Sequence, residues 1–219
     1  MRTWSFSSLN TYYTCPRQYE LTYVNPVIPY TQTEATIWGT RVHEALELYI
    51  RDGVPLGPEY LQFKSYADKV LSLPGIVRCE GQFGVTQDYK PTSFDDKAAW
   101  NRGIIDVSVV NGNKALVLDW KTGKVRPDSD QLKLFAGVTF AKYPEVDTVK
   151  TAYIWLSHGR DTRETYRREQ VPEIWRHFRE KVRRLELSYE HNQWIPKPSG
   201  LCNGWCGAGK HCEYWKPFR

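Results

Sequence analysis

The chain lacks any long hydrophobic run. No segment approaches the ~20 apolar residues that a membrane-crossing helix needs. The opening Met1-Arg2-Thr3-Trp4 carries none of the apolar core of a secretory leader. An unanchored protein of the cytoplasm is therefore expected, with no membrane partner. Internal repeats and low-complexity tracts are also missing, which excludes solenoid arrays and compositionally biased tails. Cysteine is scarce and odd in number, at Cys15, Cys79, Cys202, Cys206 and Cys212. An odd count without a leader argues against a disulfide framework. A strong excess of either charge is absent too. The formal net charge of +5 is compatible with a polyanionic partner but does not identify one.

The 219 residues are 41% hydrophobic, enough for one large domain with a sizeable core, or a domain with a small appendage. Helical spacing of Leu9, Tyr12, Tyr13 and Tyr19 predicts helix within Trp4–Val24, with Ser5 to Ser8 able to cap it. Asn25–Thr33 reads as loop. Ala35–Arg51 reads as a helix closed by Asp52-Gly53, and Gly57–Leu73 as another. Strands are predicted at Val77–Gln87, Gly103–Val110, Lys114–Trp120, Val149–Leu156 and, at a sheet edge, Thr165–Gln170. Asp130–Lys142 and Pro172–His191 read as helices, the latter with proline in its first turn. This order predicts an α/β fold with a mixed central sheet. The tail from Trp194 is rich in Pro, Gly and Cys, so something other than ordinary core packing must order it.

Asp106 and Asp119 interrupt apolar, β-branched segments on the two arms of a hairpin turning at Asn111-Gly112. A buried carboxylate without a partner is costly, so two converging with a lysine suggest a hard-cation site. Lys121 projects from the same strand face as Asp119. A bound divalent cation stabilises phosphoryl oxygens and activates water, as phosphodiester hydrolysis requires. His43 follows Gly39, which permits close backbone approach, and offers a nitrogen ligand. Lys124 and Arg126, just past the hairpin, suit phosphate contact. The basic residues from Arg160 to Arg184 alternate with acids and read equally as a solvated, ion-paired surface.

These residues together resemble the PD-(D/E)XK nuclease superfamily, in particular its RecB-like branch, which includes CRISPR adaptation exonucleases and phage exonucleases. Gly39 to His43, Gly103 to Asp106, Asp119-Trp120-Lys121 and Gln131 to Phe135 occur in the order of that branch's motifs, with Phe135 where tyrosine is usual. The resemblance implies a restriction-endonuclease-like core. It implies that His43, Asp106, Asp119 and the Trp120 carbonyl bind Mg²⁺ or Mn²⁺. Lys121 would orient water or stabilise charge, and Gln131 would position the strand or the lysine. Glu80 also matches an acidic position of the family. The implied activity is a DNA exonuclease acting on single-stranded or free ends, in phage or prokaryotic recombination and repair, with a recombination protein as partner. The implied setting is the cytoplasm of a prokaryotic or phage-infected cell. The competing reading is a non-catalytic DNA-binding adaptor subunit.

Cys15 within Ser7 to Tyr19, and the trio Cys202, Cys206 and Cys212, resemble the iron–sulfur members of the same branch. They imply a [4Fe–4S] cluster stapling segments 1–24 and 194–219 within a single domain spanning 1–219. A Cys₄ zinc site uses the same ligand type and stays open as the alternative. His211 is an additional ligand type nearby, and Cys79 reads as a buried strand thiol.

Overall fold

The computed structural model describes residues 2–28, 32–126 and 129–217. Its helices are α1 (Phe6–Thr14), α2 (Pro16–Tyr19), α3 (Glu34–Asp52), α4 (Lys64–Leu71), α5 (Asp130–Lys142) and α6 (Val171–His191). Its strands are β1 (Ile76–Val85), β2 (Pro91–Thr92), β3 (Asn101–Asn111), β4 (Lys114–Lys121), β5 (Thr148–Trp155) and β6 (Arg160–Arg167). The chain divides into two compact units, Gln32–Arg176 and Met1–Thr31 with His177–Arg219. Among the described residues, no helix is long and apolar enough to cross a membrane.

The unit Gln32–Arg176 holds one sheet of order β2-β1-β3-β4-β5-β6. Every pairing is antiparallel except β4 with β5. A parallel pair needs a crossover, and α5 supplies it. One sheet face buries Val107, Val109, Leu118, Trp120 and Ala152 against Val42, Leu46 and Ile50 of α3 and Ala67 and Val70 of α4. Full burial of each such aliphatic side chain stabilises by about 1.5–3 kcal/mol. On the other face Leu132 of α5 packs with Tyr153 and Trp155 of β5. Nearly every residue of α5 from Leu132 to Phe140 is buried. At Gly137 a Cβ would lie 2.9 Å from Ile174 and 3.1 Å from Trp175, so the start of α6 packs directly on bare backbone.

Local chemistry sets the ends of these elements. Thr33 and Thr36 cap α3 reciprocally, and Gly53, at φ 69°, ends it in the left-handed region. The β3–β4 turn lies one residue later than the sequence predicts. Asn111 still pairs with Lys114, so Gly112 and Asn113 make the turn and Gly112 takes the positive φ of 54°. The predicted helix over Gly57–Leu73 is instead a 3₁₀ segment, Pro58–Phe63, leading into α4. The edge strand β6 starts earlier and is longer than predicted. Its exposed, charged residues hide the alternation that would reveal it, as suits an unpaired edge. Arg168, which the sequence places in a solvated basic set, is a clamp. Its guanidinium donates to the carbonyls of Tyr143 at 2.7 Å and Val146 at 2.8 Å, closing the end of α5.

In the other unit, Ser5 and Ser8 form a capping box at α1. The helix breaks at Cys15-Pro16, and α2 runs into a π turn, Glu20–Val24. The Tyr12 hydroxyl donates to the Arg184 carbonyl at 2.8 Å and that of Tyr13 to the Lys181 carbonyl at 3.0 Å. Trp4 stacks on Phe178, and Tyr19 on Trp194. Trp4 and Tyr12 are buried and pack the core of this unit. Among the described residues beyond Trp194, regular structure consists of short 3₁₀ turns at Gly200–Cys202 and Gly209–His211 and an isolated parallel bridge of Asn203 with Lys216.

Candidate active site

The β3–β4 ladder stops at Val107↔Leu118. The next two residues in that register are Asp106 and Asp119, so the carboxylates stand where the strands part. Asp106 replaces the missing ladder bond by accepting the Trp120 N–H at 2.7 Å. Beyond the fork β4 continues alongside β5, with Asp119 opposite Tyr153 and Lys121 opposite Trp155.

On the other side of β3, the β1 register runs through Cys79↔Val107 and Gly81↔Ile105, leaving Glu80 and Asp106 facing each other at an unpaired position. Glu80 has φ 47°, a left-handed conformation uncommon outside glycine, in the middle of a strand. The strand changes partners there. Val77 and Cys79 pack with the α3–α4 core, whereas Phe83 meets Phe135 of α5 edge-on. Two carboxylates opposed across strands repel. Burial and then Asp106 push Glu80 up to about 7.

α3 brings His43 to the same place. Gly39 makes this possible, because a Cβ there would lie 3.1 Å from the Thr122 hydroxyl just after β4. The His43 Nε2 lies 2.9 Å from the Trp120 carbonyl and Nδ1 lies 3.3 Å from Asp106 Oδ2. Burial works against a charged imidazole, yet the hydrogen bond and charge of Asp106, with Asp119 and Glu80 beyond it, raise its pKa above the ordinary value. One ligand atom each from His43, Glu80 and Asp106 lies within 4.8 Å of the others.

Asp119 is 4% exposed, and its pKa is raised by burial and then by Asp106, with Lys121 opposing. Lys121 Nζ lies 2.5 Å from Asp119 Oδ2, an ion pair that opposes the upward shift of this buried carboxyl. Lys121 also donates to Gln131 Oε1 of α5 at 3.0 Å. Phe135, at the position where relatives of the resembled branch carry tyrosine, is 2% exposed in the core and fills a packing role. Lys124 and Arg126 are exposed.

These groups fit a hard divalent cation. The donors are carboxylate oxygens and one imidazole, and burial together with Asp106 pushes the carboxyls of Glu80 and Asp119 toward their protonated forms. His43, Glu80 and Asp106 would hold the ion. The Trp120 carbonyl is engaged by His43 here, so its use as a ligand requires that contact to be exchanged.

The other candidate site lies in the terminal unit. Cys15 is the residue between α1 and α2, Cys202 ends the first 3₁₀ turn, Cys212 follows the second, and none of the cysteines is disulfide-bonded. Burial raises the Cys206 pKa; the Ala208 N–H lowers it, and Cys15, Cys202 and Cys212 raise it further, so all four thiols lie within electrostatic reach. Backbone N–H groups of Lys197 and Ser199 donate to Cys15 Sγ at 3.4 Å and Cys202 Sγ at 3.5 Å. His211 is exposed on its turn, and Cys79, half-buried in β1, lies in the other unit.

A mixed six-stranded sheet flanked by helices, with an acidic fork at its centre, is a restriction-endonuclease-like α/β fold. Residues 3–78 match the PD-(D/E)XK nuclease superfamily, a stretch that contains Cys15 and His43 and ends before Glu80. A crystal structure described as a "Putative exonuclease" from Eubacterium rectale shares the fold, with TM-score 0.52 and 12% identity over 92% of this chain and 86% of that one. The crystal structure of SSO0001 aligns with TM-score 0.49 and 16% identity over 96% of this chain and 85% of that one. No curated protein matches the chain.

Proposed function

We propose that the protein is a divalent-cation-dependent deoxyribonuclease that hydrolyses phosphodiester bonds from DNA ends, with single strands as its preferred substrate. The observation that carries this reading is the fork itself. His43, Glu80 and Asp106 converge within ligand distance, and Lys121 is held beside Asp119 by Gln131. A bound Mg²⁺ or Mn²⁺ would supply charge to the phosphoryl oxygens and acidity to a water. Lys121 presents its ammonium to the scissile phosphate from the Asp119 side. Gln131 fixes the direction of that ammonium, and Asp119 supplies a further anionic oxygen to the site. Asp106 does double duty, as a cation ligand and as the acceptor that holds the strand fork open.

The four gathered thiols support a [4Fe–4S] cluster as the staple of the terminal unit. A Cys₄ zinc site uses the same ligand type, and analysis of bound iron, acid-labile sulfide and zinc in the purified protein separates the two.

The test is digestion of end-labelled single- and double-stranded DNA by anaerobically purified protein, with Mn²⁺, Mg²⁺ and EDTA arms. Cleavage with either cation, absent in EDTA and lost in Asp119→Ala and Lys121→Ala variants that melt normally, is expected. Wild-type activity in either variant would remove the nuclease assignment of this site. DNA binding without cleavage under every condition would favour the adaptor.

A further inference from the structure

The Lys121 ammonium touches one group that the nuclease reading does not use. It lies 4.9 Å from the centroid of the Tyr153 ring. Tyr153 stands beside Asp119 in the parallel β4–β5 register, so Asp119, Lys121 and Tyr153 share a sheet face. The ring is 3% exposed and packed with Leu132 and Trp155. The two aromatic rings meet edge to face at 5.5 Å. Trp155 is itself tied to the edge strand, its indole N–H donating to the Thr162 hydroxyl at 3.0 Å. Thr162 pairs with Tyr153 across β5–β6. A line of fixed contacts therefore runs from the sheet edge to the ammonium.

We propose that Tyr153 is a positioning residue for Lys121. The lysine is 29% exposed at its side chain and has four rotatable bonds, so Asp119 and Gln131 alone leave it room to swing. An aromatic face held in the core closes the remaining side and attracts the cation through its quadrupole. The edge strand β6 gains a role by this route, because Thr162 locks the ring that locks the ring under Lys121. This inference rests on the nuclease reading for its kinetic consequence, but not for its geometric one.

The experiment compares Tyr153→Phe, which keeps the ring face, with Tyr153→Leu and Tyr153→Met, which remove it. In protein labelled with ¹³C-lysine, the Lys121 ε-methylene protons are expected to be shifted upfield by the ring current in wild type and Tyr153→Phe. That shift is expected to vanish in whichever aliphatic variant melts cooperatively. On DNA, Tyr153→Phe should stay within about twofold of wild type. The aliphatic variants should lose about three- to thirtyfold in kcat, with KM for DNA and the Mn²⁺ requirement within about twofold. An unshifted Lys121 in wild type, or an aliphatic variant with wild-type kcat, would overturn the proposal. A wild type without nuclease activity would overturn the function instead, and the ring-current shift would still decide where Lys121 sits.

Discussion

The two candidate sites are built by opposite means. In Gln32–Arg176, His43, Glu80, Asp106 and Lys121 are carried by regular elements whose other faces are core: α3 buries Val42 and Leu46, and β4 buries Leu118 and Trp120. In the terminal unit, three of the four thiols ride on a tail of short turns, in which Trp205 is 72% exposed and Ile195 70% exposed. The first site is shaped by packing before anything binds, and stores repulsion that a cation would relieve. The second has little packing to shape it, so a ligand held by its thiols is expected to order it. Cation affinity should therefore tune activity at the first site, whereas ligand binding at the second should set the structure itself.

The largest effect that would sharpen this contrast is expected from Asp106→Asn. It weakens a ligand while keeping an acceptor for the Trp120 N–H, so cleavage should fall by about 10²–10³-fold or more while the melting temperature holds. A collapse of the fold would show that Asp106 is structural first. Next comes Cys206→Ser, which should abolish bound iron and acid-labile sulfide and open the tail beyond Trp194 to limited proteolysis. Retained protease resistance, read by mass spectrometry, would mean the tail orders itself.

A third effect concerns pH in EDTA. Glu80 and Asp119 both have pKa values raised above their unfolded values, so the fold favours their protonated forms. That contribution to stability is complete below about pH 4 and is lost as the pH rises through about 7. The metal-free melting temperature should therefore fall over this window, and saturating Mn²⁺ should offset the fall. A flat profile in EDTA would remove the stored repulsion. Gly39→Ala should act more gently. Better helix propensity offsets the tight approach to Thr122, leaving stability within about 1 kcal/mol, while Mn²⁺ affinity by calorimetry drops several-fold. Smallest of all is Arg183→Ala. Its pair with Glu190 is solvent-exposed and its pair with the half-buried Glu186 is loose at 3.7 Å, so no change in melting temperature should be measurable.

Much of the packed unit was legible because its signals are local. The Asp130–Lys142 helix has the bounds predicted for it, and the hairpin carrying Asp106 and Asp119 is displaced by one residue at its turn. Asp106, Asp119 and Lys121 stood out as charges in apolar strands. Glu80 showed itself only by family pattern, because a positive φ in mid-strand is imposed by tertiary contacts and leaves no mark in composition. Tyr153 looked like any strand aromatic, since its partner Lys121 is reached through a parallel pairing that spacing does not announce. The strand β2, at two residues, is too short to show a period, and the clamp made by Arg168 depends on carbonyls that only the folded chain brings to it. The prolonged edge strand β6 was masked by its own solvent-facing charges.

The parallel β4–β5 seam has a consequence for the making of the protein. Residues 43, 80, 106 and 121 lie on elements that precede α5, whereas Gln131 and Tyr153 reach Lys121 through the crossover helix and the β5 strand that it delivers beside β4. Such distant pairings close late, since the entropy of the intervening loop is lost before the contacts reward it. A nascent chain still emerging from the ribosome would thus carry all its acids while its lysine still lacked the two neighbours that aim it, and on the proposed function a half-built polypeptide would cut poorly.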